Sequence, residues 1–279
     1  MIARRAPAKA ALLGAAFLFV AAGCATTDLP GGSRADVETW AASYGLVRVP
    51  LRTAGFDLFA LARQSSAAET LSIYIEGDGA PWAGLHHPPR DPTPLSPIAL
   101  ALAAADGAPA LAWLARPCQY LDAPVLAGCD IAYWTGRRFA PEVVAAYDAA
   151  VTQLKARSGA RRVRLIGHSG GGVISVLVAA RRGDVERVIT VAAPLAVADW
   201  VAWHRLSPLA GSLDPRREAG DAPAPPGVHF AGASDQTVPA AIVEGYVRAR
   251  GGRLETLAGF DHDCCWAREW PQLLHRALR

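Results

Sequence analysis

Charge is scarce in this chain: only 19% of its 279 residues are Asp, Glu, Lys or Arg, against 52% hydrophobic. A sequence of that composition is not a disordered segment, because it carries enough apolar surface to offset the entropy of ordering. It lacks a fixed internal period, which excludes a solenoid or a propeller. It also lacks a basic stripe with interleaved aromatic residues, so nucleic acid is excluded as a partner. The apolar stretch 10–22 falls short of the roughly 20 residues that a membrane-spanning helix needs. Cysteine is sparse as well, at five. Cys264 and Cys265 lie close to His262, but adjacent cysteines rarely form a closed tetrahedral site. No metal and no cofactor are therefore expected. What the chain does have is a length normal for one large α/β domain, with 26 Gly and 21 Pro to make its turns.

The first 23 residues read apart from the rest. Arg4, Arg5 and Lys9 precede the apolar stretch, and small residues then lead into Gly23-Cys24. This pattern resembles a bacterial lipoprotein signal. The resemblance implies cleavage after residue 23, lipid on Cys24, and membrane attachment through it; two or more acyl chains hold a protein stably at a bilayer. Ala25, rather than Asp, follows the cysteine; by resemblance to the sorting of Gram-negative lipoproteins, this favours the outer membrane, facing the periplasm. Removing residues 1–23 takes three of the 28 bases and none of the 25 acids, so the remaining chain is formally neutral. Residues 24–44 read as a tether and 45–279 as the folded domain. Four cysteines remain, and an even number in an exported chain suits disulfides. Cys118 with Cys129 closes a short loop and is the favoured pair. Cys264 and Cys265 form a vicinal pair, bond elsewhere or stay reduced.

Along the domain, apolar strand patterns alternate with helical ones. Strands are expected at 46–51, 56–63, 71–76, 109–116, 163–167, 185–192, 228–233 and 253–257. Helices are expected at 98–105, 141–157, behind residue 169 to about 182, 239–250 and 269–278. Aromatic-rich loops fill 117–140, and an irregular insertion fills 195–226. The order implies an α/β fold with a mostly parallel central sheet and helices on both faces. Ligands in such folds bind beyond the carboxyl ends of the strands.

The most specific segment is Gly167-His168-Ser169-Gly170-Gly171, set between an apolar strand and an apolar helix. A serine on so sharp a turn has its hydroxyl thrust above the sheet, and the backbone leaves no room for side chains two positions before and after it. A serine hydroxyl needs an adjacent base, and an imidazole needs a carboxylate to fix its tautomer. Ser169, Asp235 and His262 each follow a predicted strand. Their order, with Ala-Ser-Asp-Gln-Thr-Val-Pro at 233–239 and Gly-Phe-Asp-His at 259–262, resembles the α/β-hydrolase family over residues 45–279. The resemblance implies Ser169 as nucleophile, His262 as base and Asp235 as acid. It implies oxyanion donors at the Gly170 amide and in the turn after residue 76, where the family often has His-Gly and this chain has Glu76-Gly77-Asp78-Gly79. Asp78 and then Gly79 are the favoured donors, with the Asp78 carboxylate directed away toward Arg90 or Arg116. Asp199 competes for the acid role; His204, His86, His87 and His275 compete for the base. His168 reads as packing beside the site, and Asp261 and Asp263 as loop caps. Trp82, Tyr120, Trp134, Trp200 and Trp203 are candidates for the substrate pocket. The implied activity is hydrolysis of small-molecule or lipid esters through an acyl-enzyme, as in carboxylesterases and lipases. The alternatives are transfer of the acyl group to another acceptor, and a non-catalytic envelope lipoprotein on the same scaffold.

Overall fold

A computed structural model describes residues 31–63, 68–80, 87–218 and 226–279. The expected signal, Cys24, Trp82 and His86 lie outside the described residues. The chain runs through α1 (Arg34–Ala42), β1 (Val47–Arg48), β2 (Ala60–Arg63), β3 (Thr70–Ile75), α2 (Ile98–Ala105) and β4 (Leu111–Leu114). A short α3 (Ala123–Leu126) and a 3-10 turn (Ile131–Trp134) precede α4 (Pro141–Ser158). There follow β5 (Arg162–His168), α5 (Gly170–Ala179), β6 (Val185–Val191), α6 (Val197–Trp203), α7 (Pro215–Glu218), β7 (Gly227–Gly232), α8 (Ala240–Arg250), β8 (Arg253–Leu257) and α9 (Trp266–Ala277).

The strands form one sheet in the order β1-β2-β4-β3-β5-β6-β7-β8. Pairing is parallel from β4 to β8 and antiparallel at β1–β2 and β2–β4. A parallel sheet covered on both faces needs strands that are apolar at successive positions, and all of Leu111–Leu114 is buried. Alternate side chains serve opposite layers. Leu71, Ile73 and Ile75 of β3 enter the core under α4, α5 and α8, while Tyr74 enters the core under α1, α2 and α9. Pro141 opens α4 where its missing amide costs nothing, and Gly159, at φ 70°, ends it in the left-handed conformation that favours glycine.

Two readings of the sequence need correction. Residues 34–42 are not tether but helix. Ser33 caps α1 by accepting the Asp36 amide, and Val37 and Ala41 are completely buried against the sheet. Two apolar anchors in nine residues make too thin a stripe to read from periodicity. Within the insertion at 195–226, residues 197–203 and 215–218 are helical, with Val197 and Val201 in the core. Cys118 and Cys129 are disulfide-bonded with Cα atoms 6.1 Å apart, and Cys264 is bonded to Cys265.

The topology places the functional rim. From β3 the chain moves outward to β4, then returns to the other side of β3 as β5. Strand order reverses there, and the loops leaving β3 and β5 diverge to open a crevice at their carboxyl ends. The Gly77 turn and Ser169 are the segments that border it.

Candidate active site

Strand β5 ends at His168 and α5 begins at Gly170, so a single residue makes the corner. Ser169 holds it at φ 50°, ψ −126°, a region that non-glycine residues rarely enter and that surrounding structure must enforce. Close packing does the enforcing. A Cβ on Gly167 would stand 2.2 Å from the Gly171 carbonyl oxygen, and one on Gly171 would stand 2.1 Å from that of Ile75. Both glycines are therefore required by neighbouring backbone, not by flexibility.

The corner aims the hydroxyl at an imidazole. His262 lies in the loop between β8 and α9, with Nε2 3.1 Å from Ser169 Oγ and Nδ1 2.9 Å from Asp235 Oδ2. Asp235 is buried in the turn after β7, and its other oxygen accepts the amides of Thr237 (2.8 Å) and Val238 (2.7 Å). With donors filling Oδ1, Oδ2 is left for the Nδ1 proton, and the Nε2 lone pair then faces the hydroxyl. Asp261 Oδ1 accepts the amides of Asp263 and Cys264 and so caps the loop. The competing residues lie elsewhere. Asp199 pairs with Arg216 at 2.8 Å, His204 faces the Thr237 carbonyl, His87 is exposed, and His275 contacts Arg279 at the end of α9. Among the described residues, His168, His262 and Asp263 bring ligand atoms within 4.8 Å of one another, but both nitrogens of His262 are engaged by Asp235 and Ser169.

The turn after β3 lies directly over Ser169: a Cβ on Gly77 would stand 3.4 Å from Ser169 Cβ. The Gly77 amide donates to Glu76 Oε1 and the Ala80 amide to the Pro92 carbonyl. Asp78 and Gly79 lie between them, opposite the start of α5. Glu76 anchors this turn. Its buried carboxylate accepts four donors: the Gly77, Ala99 and Leu100 amides and the Trp113 indole. Burial pushes its pKa up, although each of those bonds opposes the rise. The turn is thereby pinned to the N-terminus of α2, where a carboxylate is favoured.

Asp78 departs from expectation in two ways. Its carboxylate bonds Arg116 (2.8 Å) as anticipated, but its second partner is Arg138 (2.9 Å), and Arg90 is exposed. Nor does it turn away from the site. A Cβ on Gly170 would stand 2.0 Å from Asp78 Oδ1, so the carboxylate rests against the first residue of α5. Burial works to raise its pKa, but the guanidiniums of Arg138 and Arg116 outweigh burial and hold it below the usual range. They also neutralise a charge that would otherwise oppose an oxyanion nearby. Arg138 donates to the Thr135 carbonyl through Nε and stacks over Trp200. Replacing Asp78 with Asn is expected to leave two largely buried guanidiniums without a counter-charge. Breaking a buried pair costs about 3 kcal/mol, which lowers Tm by roughly 6–12 °C in a domain of this size; thermal melts of wild type and Asp78→Asn check it.

His168 is more than packing. It is buried, and its Nε2–H donates to the His262 carbonyl at 2.9 Å, a group that Trp266 Nε1 also reaches at 3.1 Å. Burial, with His262 nearby, depresses its pKa to about 3, and burial depresses that of His229 to about 4. Both imidazoles stay neutral in the fold while an unfolded chain binds protons below about pH 6.5. Stability from these two groups is thus full above that pH and is lost as pH falls toward 4 and then 3. Denaturant midpoints measured from pH 7 to 4 are expected to fall, and to fall less steeply in His168→Asn.

A cleft of about 450 Å³ opens over Ser169 and His262, bordered by Leu95, Trp134, Arg138 and Trp200. Of the aromatic candidates, Trp134 and Trp200 line it. Tyr120 does not: it is buried among Phe59 and Trp113 in the core under α1, α2 and α9. Trp203 projects from the end of α6 into solvent. Arg138 and the anchoring roles of Glu76 and His168 escaped the sequence reading. The available signal was polarity out of place: an acid ending an apolar strand, and an arginine beside Phe139 just before α4.

No family model matches the chain, and no curated protein matches it by sequence. Solved structures do resemble it. An esterase from Pyrococcus furiosus superposes with a TM-score of 0.59 at 12% identity, over 85% of this chain and 90% of that one. An alpha-beta serine hydrolase homologue from Coxiella burnetii gives 0.53 at 16% identity, over 83% and 95%. A serine hydrolase without a lid from Xanthomonas campestris gives 0.53 at 12%, over 83% and 91%. At these identities the likeness is one of backbone: the chain has the α/β-hydrolase fold, with His262 in hydrogen-bond reach of both Ser169 and Asp235 at the switch point of its sheet.

Proposed function

We propose that the protein is a serine hydrolase that cleaves ester-like bonds through an acyl-enzyme. The observation that carries this reading is the unbroken relay from Ser169 Oγ through His262 to Asp235, at 3.1 and 2.9 Å, opening into a cleft. Ser169 Oγ attacks the ester carbonyl as His262 Nε2 takes its proton, and Asp235 stabilises the imidazolium. The oxyanion is received by the Gly170 amide at the start of α5 and by the amide of Asp78 or Gly79. Collapse expels the alcohol, which leaves with the proton from His262. Water, deprotonated by the same imidazole, then releases the acid and restores Ser169.

The signal-like N-terminus supports the rest of the reading: lipid on Cys24 and a place in the cell envelope, at the outer membrane. Carboxylesterase- or lipase-like chemistry comes first, on small-molecule or lipid esters. A fluorophosphonate probe tests the core of it. Wild type is expected to be labelled on Ser169 and Ser169→Ala not at all; equal labelling of the two would remove the proposal.

A further inference from the structure

The first described residues lie at the rim of the cleft. Gly31 and Gly32 pack on Leu95: a Cβ on Gly31 would stand 3.2 Å from the Leu95 carbonyl oxygen, and one on Gly32 3.7 Å from its Cδ2. Leu95 itself borders the cleft that holds Ser169. Arg34, at the start of α1, bonds Asp122 in the loop after β4, which ties the same end of the helix to the carboxyl edge of the sheet. Only seven residue steps separate Cys24 from Gly31. Fully extended, they reach about 25 Å, while a compact domain of this length is roughly 45 Å across. An acyl group on Cys24 would therefore keep a bilayer close to the cleft and out of reach of the far end of the sheet.

The exposed apolar residues agree with that geometry. Seven large hydrophobic side chains are exposed among the described residues, and four of them sit on segments leaving the carboxyl ends of the parallel strands. They are Leu95 (63%) after β3, Val125 (47%) and Ile131 (47%) after β4, and Trp203 (59%) after β6. An apolar rim with an indole suits the boundary between lipid and water. A short leash raises the effective concentration of such a surface at the bilayer, so weak contacts suffice to orient it.

From this placement we infer that the cleft rim is a face that docks on the bilayer holding the Cys24 lipid, and that the substrate is an ester embedded in that bilayer. The inference rests on the proposed hydrolysis and lipidation. The full-length lipidated protein is reconstituted in phosphatidylethanolamine/phosphatidylglycerol vesicles, and two esters are compared: 4-methylumbelliferyl oleate carried in the vesicles and p-nitrophenyl butyrate in solution. The variant Val125→Ser/Ile131→Ser/Trp203→Ser changes only rim residues outside the cleft lining. It is expected to lose about tenfold on the vesicle-borne ester while its rate on the soluble ester stays within twofold. Should the triple variant lose both activities, Trp203→Ser alone is judged by the same ratio. An unchanged ratio overturns the docking. A Cys24 that carries no acyl mass overturns the lipidation reading and the docking with it. Failure of wild type to turn over either ester in a Ser169-dependent way overturns the hydrolase reading instead.

Discussion

Ser169→Ala is expected to lower the turnover of p-nitrophenyl butyrate by about 10⁶-fold, with little change in substrate binding. The size follows from the geometry. In the proposed hydrolysis His262 and Asp235 act only through the Ser169 hydroxyl, 3.1 Å from the imidazole, so removing that oxygen would idle all three groups together. What survives is the residual of about 10³–10⁴ over water that an oxyanion site and binding supply alone. A loss of only a few fold would show that another group carries the reaction, and the relay would then be a packing arrangement.

Asp235→Asn is expected to cost about 10⁴-fold in kcat, with the fold intact. One oxygen of Asp235 accepts the Thr237 and Val238 amides, a place that only an oxygen can fill. In the variant the amide oxygen takes that place and the NH₂ turns toward His262 Nδ1. Nδ1 must then accept, its proton moves to Nε2, and the base presents N–H to the Ser169 hydroxyl instead of a lone pair. The rate falls through the wrong tautomer, while the volume of the side chain is unchanged. Asp199→Asn serves as the comparison: its carboxylate is bonded to Arg216 away from the relay, so activity within twofold of wild type is expected. Equal losses in the two variants would place the acid elsewhere.

Much of the architecture was legible in the chain because it is encoded locally. Apolar runs of four to seven residues, broken by Gly and Pro and alternating with helical stretches, imply a parallel sheet wherever both faces must be covered. Helix α2 falls at Ile98–Ala105 and α4 opens at Pro141, as their residue patterns indicate. The corner at Ser169 was legible for a stricter reason, since a turn that tight tolerates glycine alone at 167 and 171. Helix α1 was not legible: two buried residues, Val37 and Ala41, decide it, and a stripe that thin does not stand out from the polar residues around it. The aromatic candidates divided for the same kind of reason. Tyr120 and Trp134 both sit in one aromatic loop, and only the packing of Phe59 and Trp113 draws Tyr120 into the core while Trp134 faces the cleft.

The order of elements, the place of the sharp corner and the chemical types gathered after successive strands are all written locally along the chain. Those are properties of short windows, governed by side-chain periodicity and backbone sterics. Which distant charges meet is set instead by the folded arrangement. Asp78 lies 38 residues from Arg116 and 60 from Arg138, yet both guanidiniums hold its carboxylate against Gly170. His168 supports the carbonyl of a residue 94 positions away. Such contacts depend on how the loops beyond the sheet fold over one another, and that is set by the summed packing of the two cores beneath them. No local window carries that sum, so the partners of a buried charge become known only when the strands are laid side by side.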